Sequence, residues 1–219
     1  MKNTLLLVLI VLSGISYAQD KEKLKNMFNN ASTDTSFVYA AKSMAETGDK
    51  TIIPKIIDKI RGLIDGKDDN IDTVEELMGG LACFKDKSVI SFMYELINMK
   101  DLNPRIFRMS VYVLGEIGDS SIFPELIVIL QGERNYELRR EVVWAFGKVK
   151  IKEAAPILAK LYPDEETSVR GVIALSMYNF ESPEALSVLQ GELKYEKNEW
   201  VKEKLNWVIN KTRKNKELP

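Results

Sequence analysis

The feature that most constrains this chain is a repeat. Residues 106–130 read as two short amphipathic helices joined at Gly118-Asp119, and the same pattern recurs along most of the sequence. With Leu114 as anchor, the counterparts are Met44, Leu81, Phe146 and Met177, thirty-odd residues apart. A fixed distance beyond each anchor an apolar residue returns: Ile52, Val89, Ile122, Ala154 and Ala185. Two places further on stand Pro54, Pro124 and Pro156. Proline fits there because the first turn of a helix has no partner for the amide that proline lacks.

Within each unit the apolar residues fall three and four apart, as in Ile52, Ile56, Ile57, Ile60 and again in Ile122, Leu126, Ile127, Leu130. No stretch alternates cleanly between turn signals, so strands are not expected. One such helix pair is too small to bury its own apolar stripe, whereas stacked neighbours bury it continuously. The expected fold class is therefore all-α, a solenoid of antiparallel helix pairs. The repeat domain spans 37–213, with five repeats and a C-terminal capping helix, and 214–219 form a tail. Residues 200–212 look like one more first helix without a partner, the capped end that a solenoid needs to stay soluble.

The first eighteen residues read as an export leader. Lys2 starts it, residues 5–12 are unbroken apolar, and Ser16-Tyr17-Ala18 supplies small residues where cleavage needs them. The apolar run is too short to span a bilayer. Cleavage after Ala18 is the expectation, with an uncleaved N-terminal anchor as the alternative. No cysteine follows the run, so a lipid-anchored form is not indicated. The lysine-, asparagine- and isoleucine-rich composition points to a bacterial host, which places the protein in a periplasm or outside the cell. Residues 19–36 are polar and lysine-rich, with Leu24, Met27 and Phe28 as their large apolar group; they read as a cap or a tether.

Charge and composition exclude several functions. Lys and Arg number 31 against 32 Asp and Glu, a balance without the basic stripe that a phosphate-binding surface needs. Nucleic acid is thus not an expected partner, nor is membrane insertion after cleavage. There is no histidine, which removes histidine-based nucleophile activation and histidine metal sites. Phosphate loops and nucleophile elbows are missing as well. No catalytic, cofactor or metal residue is assigned. The acidic run 65–72 fails as a calcium loop, because a frame starting at Asp68 puts Thr73 where the glycine belongs and Gly79 where the glutamate belongs. Asp72 and Glu75 instead read as a capping box. Glu165-Glu166 reads as a solvated turn. The single cysteine, Cys83, cannot form an intrachain disulfide. It is either a tolerated small residue or an exposed thiol open to an interchain disulfide.

The words Val169-Arg170, Leu114-Gly115, Ile117-Gly118-Asp119 and Pro124-x-Leu126 resemble the HEAT repeat family, in the short form also found in phycobilisome lyase subunits. The resemblance covers about 37–212. Repeat five departs from it, with Tyr178 and Phe180 where glycine and valine stand in repeat four, which puts its packing register in question. The resemblance implies a right-handed, curved stack whose second helices line the concave side, used to bind protein partners. It implies no catalysis, and no residue here carries over the bilin handling of the lyases. A solenoid by itself licenses no function.

Two surfaces follow from the repeat columns. In the first helices Tyr112 and Trp144 share a column with Lys42, which makes them an outer aromatic pair suited to a protein contact. In the second helices the columns of Phe92, Glu125 and of Leu96, Ile129, together with Val128, turn apolar in the middle of the array and charged at its ends. That is the layout of an interface with a dry centre and a polar rim. The concave groove centred on Phe92, Leu96, Glu125, Val128 and Ile129 is the leading candidate, and Tyr112 with Trp144 the alternative. Asp49, Asp86 and Asp119, at the inter-helix turns, are expected to accept from turn amides or from arginines such as Arg108, Arg139, Arg140 and Arg170.

The reading is an exported, non-catalytic scaffold or adaptor that binds a protein or peptide. The alternatives are a lyase-like or chaperone-type accessory that holds a cofactor-bearing substrate and, behind it, a nucleic-acid-binding helical repeat. Intact-mass measurement on native material should find a mature form beginning at Gln19 outside the cytoplasm; a full-length cytosolic species would refute the export expectation.

Overall fold

The computed structural model describes residues 20–66, 70–132, 135–164, 166–180 and 183–217. The leader 1–18, Asp68 of the rejected calcium frame, Glu165 and the last two residues of the tail lie outside the described residues. The chain divides into two compact units, 1–89 and 90–219. Among the described residues there are helices and turns but no strand, and no helix is long and apolar enough to cross a membrane.

The first unit holds α1 (20–29), α2 (Asp34–Glu46), α3 (Ile53–Asp65) and α4 (Ile71–Phe84). Helix α1 is anchored by Phe28, which is buried with its ring 4.6 Å from that of Phe37. Lys21 reaches Asp49 at 3.4 Å. The segment before the first repeat therefore packs on that repeat as a cap. Helix α2 starts at a reciprocal box, in which Thr33 accepts from the Ser36 amide at 3.2 Å and Ser36 Oγ accepts from the Thr33 amide at 3.1 Å. Helix α4 has no such box. It begins at Ile71 with Asn70 at the cap position and no capping side-chain bond, so Asp72 sits inside the first turn. There its charge faces the positive end of the helix dipole.

The second unit holds α5 (Ile90–Ile97), α6 (Pro104–Ile117), α7 (Phe123–Gly132), α8 (Tyr136–Val149), α9 (Ala155–Leu161), α10 (Thr167–Asn179), α11 (Pro183–Leu193) and α12 (Glu199–Glu217). Helices α6 and α8 are capped by asparagine: Asn103 accepts from the Arg105 amide at 2.9 Å and Asn135 from the Glu137 amide at 2.8 Å. The first helices α6, α8, α10 and α12 pack side by side in sequence, and α5 and α7 lean on α6 and α8.

The turns inside the first four repeats share a left-handed residue, and those of the first three share an aspartate cap. In repeat four Ile151 stands at the cap position without a side-chain bond, and repeat five turns at Phe180 with right-handed backbone. After the first helix comes a left-handed residue, Gly48 (φ 70°), Lys85 (φ 47°), Gly118 (φ 73°) or Lys150 (φ 60°). Glycine takes this conformation without steric cost, and the two lysines hold it at a cost of about 1 kcal/mol. An aspartate then caps a short 3-10 turn. Asp49, Asp86 and Asp119 accept from the amides of Thr51, Ser88 and Ser121 at 3.1, 2.9 and 2.8 Å. Lys50, 2.8 Å from Asp86, with the Ser88 amide behind it, lowers that carboxyl to about 2.

The anchor column is the core. Met44, Leu81, Leu114, Phe146 and Met177 are all buried, as are Ile52, Val89, Ile122, Ala154 and Ala185 beyond them. Repeat five keeps the register despite its bulk, since Phe180 is buried and Tyr178 rests on Trp207 with ring centroids 5.4 Å apart. Denaturant melts should show Leu114→Ala losing roughly 2–5 kcal/mol, the range for a cavity left by a buried leucine. Lys42→Ala should stay within about 0.5 kcal/mol, because its ion pair with Glu76 at 3.0 Å is solvated. Equal losses would mean that the columns are wrongly assigned.

Candidate functional site

Close packing in the second unit runs along the first helices, and side-chain size explains it. A Cβ on Gly115 would sit 2.8 Å from Trp144 Cζ3, and one on Gly147 would sit 2.6 Å from Ser176 Oγ. A Cβ on Gly171 would collide with the Trp200 ring. Each glycine is a notch that takes a side chain from the next first helix. Among the described residues the second helices α5, α7 and α9 approach one another far less closely. Their side of this unit is the open one, whereas the expected groove needs it to be the tighter row.

The five groove residues divide. Phe92 and Leu96 are 2% and 1% exposed, so both belong to the core and not to a surface. The column argument assumed that every second helix turns the same face outward. Helix α5 buries Phe92, Met93 and Leu96 together, a wider stripe than the Leu126 and Leu130 of α7. Val128, by contrast, is 64% exposed, with Glu125 and Ile129 half-buried beside it on α7. Ile157 and Leu161 of α9, in the Glu125 and Ile129 columns, are half-buried too.

The structure does bring Tyr112 and Trp144 together. Their rings stack at 5.0 Å and 14°, lying flat along the first-helix row. The Lys148 ammonium stands 5.2 Å from the Trp144 ring and bonds Glu116 at 2.8 Å, closing the stack from outside. Half-buried rings held this way are packing between α6 and α8. Cys83 is free and exposed on α4.

The arginines find partners that the repeat columns did not reveal. Arg139 on α8 holds Asp164 with two bonds, Nε at 2.8 Å and Nη2 at 3.0 Å. One repeat later, Arg170 on α10 holds Glu196 in the same way, at 2.8 and 3.0 Å, and its Nη1 donates to the Asp164 carbonyl at 2.7 Å. Both acids lie in the loop leading to the next first helix. The sequence carries the signal as two similar spacings, Arg139 to Arg170 and Asp164 to Glu196.

The Arg170–Glu196 pair and Asp164 form part of the wall of an open cleft of about 520 Å³ in the second unit, at the α9–α10 and α11–α12 loops. Glu196 also accepts from the amides of Lys197 and Asn198 at 2.9 and 2.8 Å and from the Tyr162 hydroxyl at 3.3 Å. The Arg170 bond, with the amides behind it, brings its carboxyl down to about 2. Burial, then the charge of Glu196, pushes the Tyr162 phenol up. Burial and the same charge raise the carboxyl of Glu192.

Comparison with known proteins agrees with this architecture. Residues 123–210 match the family model described as HEAT repeats. A crystal structure of an engineered protein superposes with a TM-score of 0.52 at 16% identity, covering 89% of this chain and 97% of that one. At that identity the likeness shows the fold alone. Among curated proteins none matches the chain. The class is an all-α solenoid, a scaffold fold capable of protein binding and typically non-catalytic. Residues 123–210 thus carry HEAT repeats within that solenoid.

The acid limb of stability tests the clamp. Glu196 has its folded pKa, about 2, below the ordinary 4.5, so its contribution is complete above 4.5 and is lost as pH falls toward 2. Glu196→Gln should cost roughly 3 kcal/mol at neutral pH, as for breaking a buried pair from one side. It should also flatten the fall in stability between those two pH values. Urea melts across that range decide; a variant whose curve runs parallel to the parent's would remove the clamp from the account.

Proposed function

We propose that this protein is an exported, non-catalytic scaffold that binds a protein or peptide partner on the second-helix side of its second unit. The observation that carries this reading is Val128. A β-branched residue in the middle of a helix lowers helix propensity, and one left in water removes no apolar area from solvent. At 64% exposure the fold gains little from it there. Ile129, Ile157 and Leu161 extend the same apolar surface across α7 and α9, with Glu125 on its edge. An amphipathic helix or extended segment of a partner covers such a surface by laying its own apolar face against it. The leader-like first eighteen residues support export, and the repeat class supports the scaffold role.

Val128→Asp in the mature protein should leave helical content and melting temperature nearly unchanged while reducing capture of the partner from an envelope or secretion fraction. Loss of several kcal/mol would make Val128 a core residue and end the proposal. Normal folding with normal capture would remove the α7 surface from the account.

A further inference from the structure

We propose that the cleft beside Tyr162, Glu192 and Tyr195 is a receptor for a cationic side chain, the ammonium or guanidinium of a lysine or arginine on the partner. The proposal rests on the peptide-binding reading for its occupant and on its own geometry for the site.

The cations already in the wall are engaged. Arg170 gives three of its donors to Glu196 and the Asp164 carbonyl, and Arg139 grips the Asp164 carboxylate. Glu196 is saturated by Arg170, two backbone amides and the Tyr162 hydroxyl. Glu192 is different. It lines the cleft one helical turn before Glu196, and the charge acting on its carboxyl is the like charge of Glu196. Lys197, the other cation on the rim, is exposed and turns its amide into the Glu196 carboxylate.

One accessible tyrosine ring adds to the site. Tyr195, in the loop after α11, is 79% exposed, while Tyr162, also in the lining, is buried with its hydroxyl given to Glu196. Aromatic faces attract cations through their quadrupole, and a carboxylate at the same place adds a charge-assisted bond. The volume, about 520 Å³, falls within the range of pockets that hold small ligands. Other ligand classes fit less well. An anion would meet Glu192 and Glu196 and find both arginines engaged, and an apolar group would bury the Glu192 charge unpaired. Glu192 also falls in the repeat column of Ile129 and Leu161, so a segment lying along α7 and α9 runs toward it.

The test uses free probes on the mature protein, followed by amide NMR over residues 192–198. Nα-acetyl-lysine amide and Nα-acetyl-arginine amide should give saturable shifts, and neutral Nα-acetyl-norleucine amide none. Glu192→Gln should weaken the cationic probes about tenfold or more, the effect of losing a charge-assisted bond. Tyr195→Ala, at an exposed site, should weaken them about threefold. Val128→Asp should leave probe binding unchanged, so the two readings fail separately. Absence of saturation with either cation, equal shifts from norleucine amide, or parental affinity in Glu192→Gln would each overturn the proposal, whether or not a partner is captured on α7.

Discussion

The structure of the second unit depends on how near its first helices can come. Gly115, Gly147 and Gly171 leave the spaces that Trp144, Ser176 and Trp200 enter. Because those helices close up, each anchor side chain is sealed on both sides, and Leu114, Phe146 and Met177 are at most 1% exposed. The second helices, shorter and set wider apart, complete the burial of the stripe without closing over their own outer surface. An apolar residue on that surface therefore stays in solvent, which is the position of Val128.

Charge is used locally in the same economical way. Five carboxylates at the turns and junctions, Asp49, Asp86, Asp119, Asp164 and Glu196, each have a nearby donor. Inside a repeat the aspartates cap the turn through a neighbouring amide, and between repeats Asp164 and Glu196 are gripped by arginines. Bidentate bonds of this type fix orientation as well as distance. The loop entering α12 is thereby set by α10, and the loop entering α10 by α8. Glu192 stands out within that pattern, since burial first and then the like charge of Glu196 raise its carboxyl.

Much of the fold was legible because periodicity reports burial directly. The anchor column, the apolar column beyond it, the helix joint at Gly118-Asp119 and the extra first helix at the C-terminus all follow from spacing alone. Lys85 and Lys150 were less legible. They hold the left-handed position that Gly48 and Gly118 mark, and a lysine there carries no sequence sign of its conformation. The candidate site was half legible. Column reasoning found Val128 because its neighbours in the column are charged. It placed Phe92 and Leu96 at the surface because rotation of one helix about its axis leaves the repeat spacing unchanged. The Arg139 and Arg170 clamps were hidden for a related reason: an arginine is long enough to bypass the nearest aspartate and reach the loop beyond.

The notches have a consequence for how such a chain evolves. Gly115 receives an indole and Gly147 a serine, while Gly171 receives a second indole from the capping helix. The three junctions are cut to different shapes. Repeats of this protein are thus not interchangeable beads, and a duplication or deletion of one unit would bring an indole against a serine-sized gap or leave a large recess empty. The order of the units is written into their joints, the last of which seats the C-terminal helix.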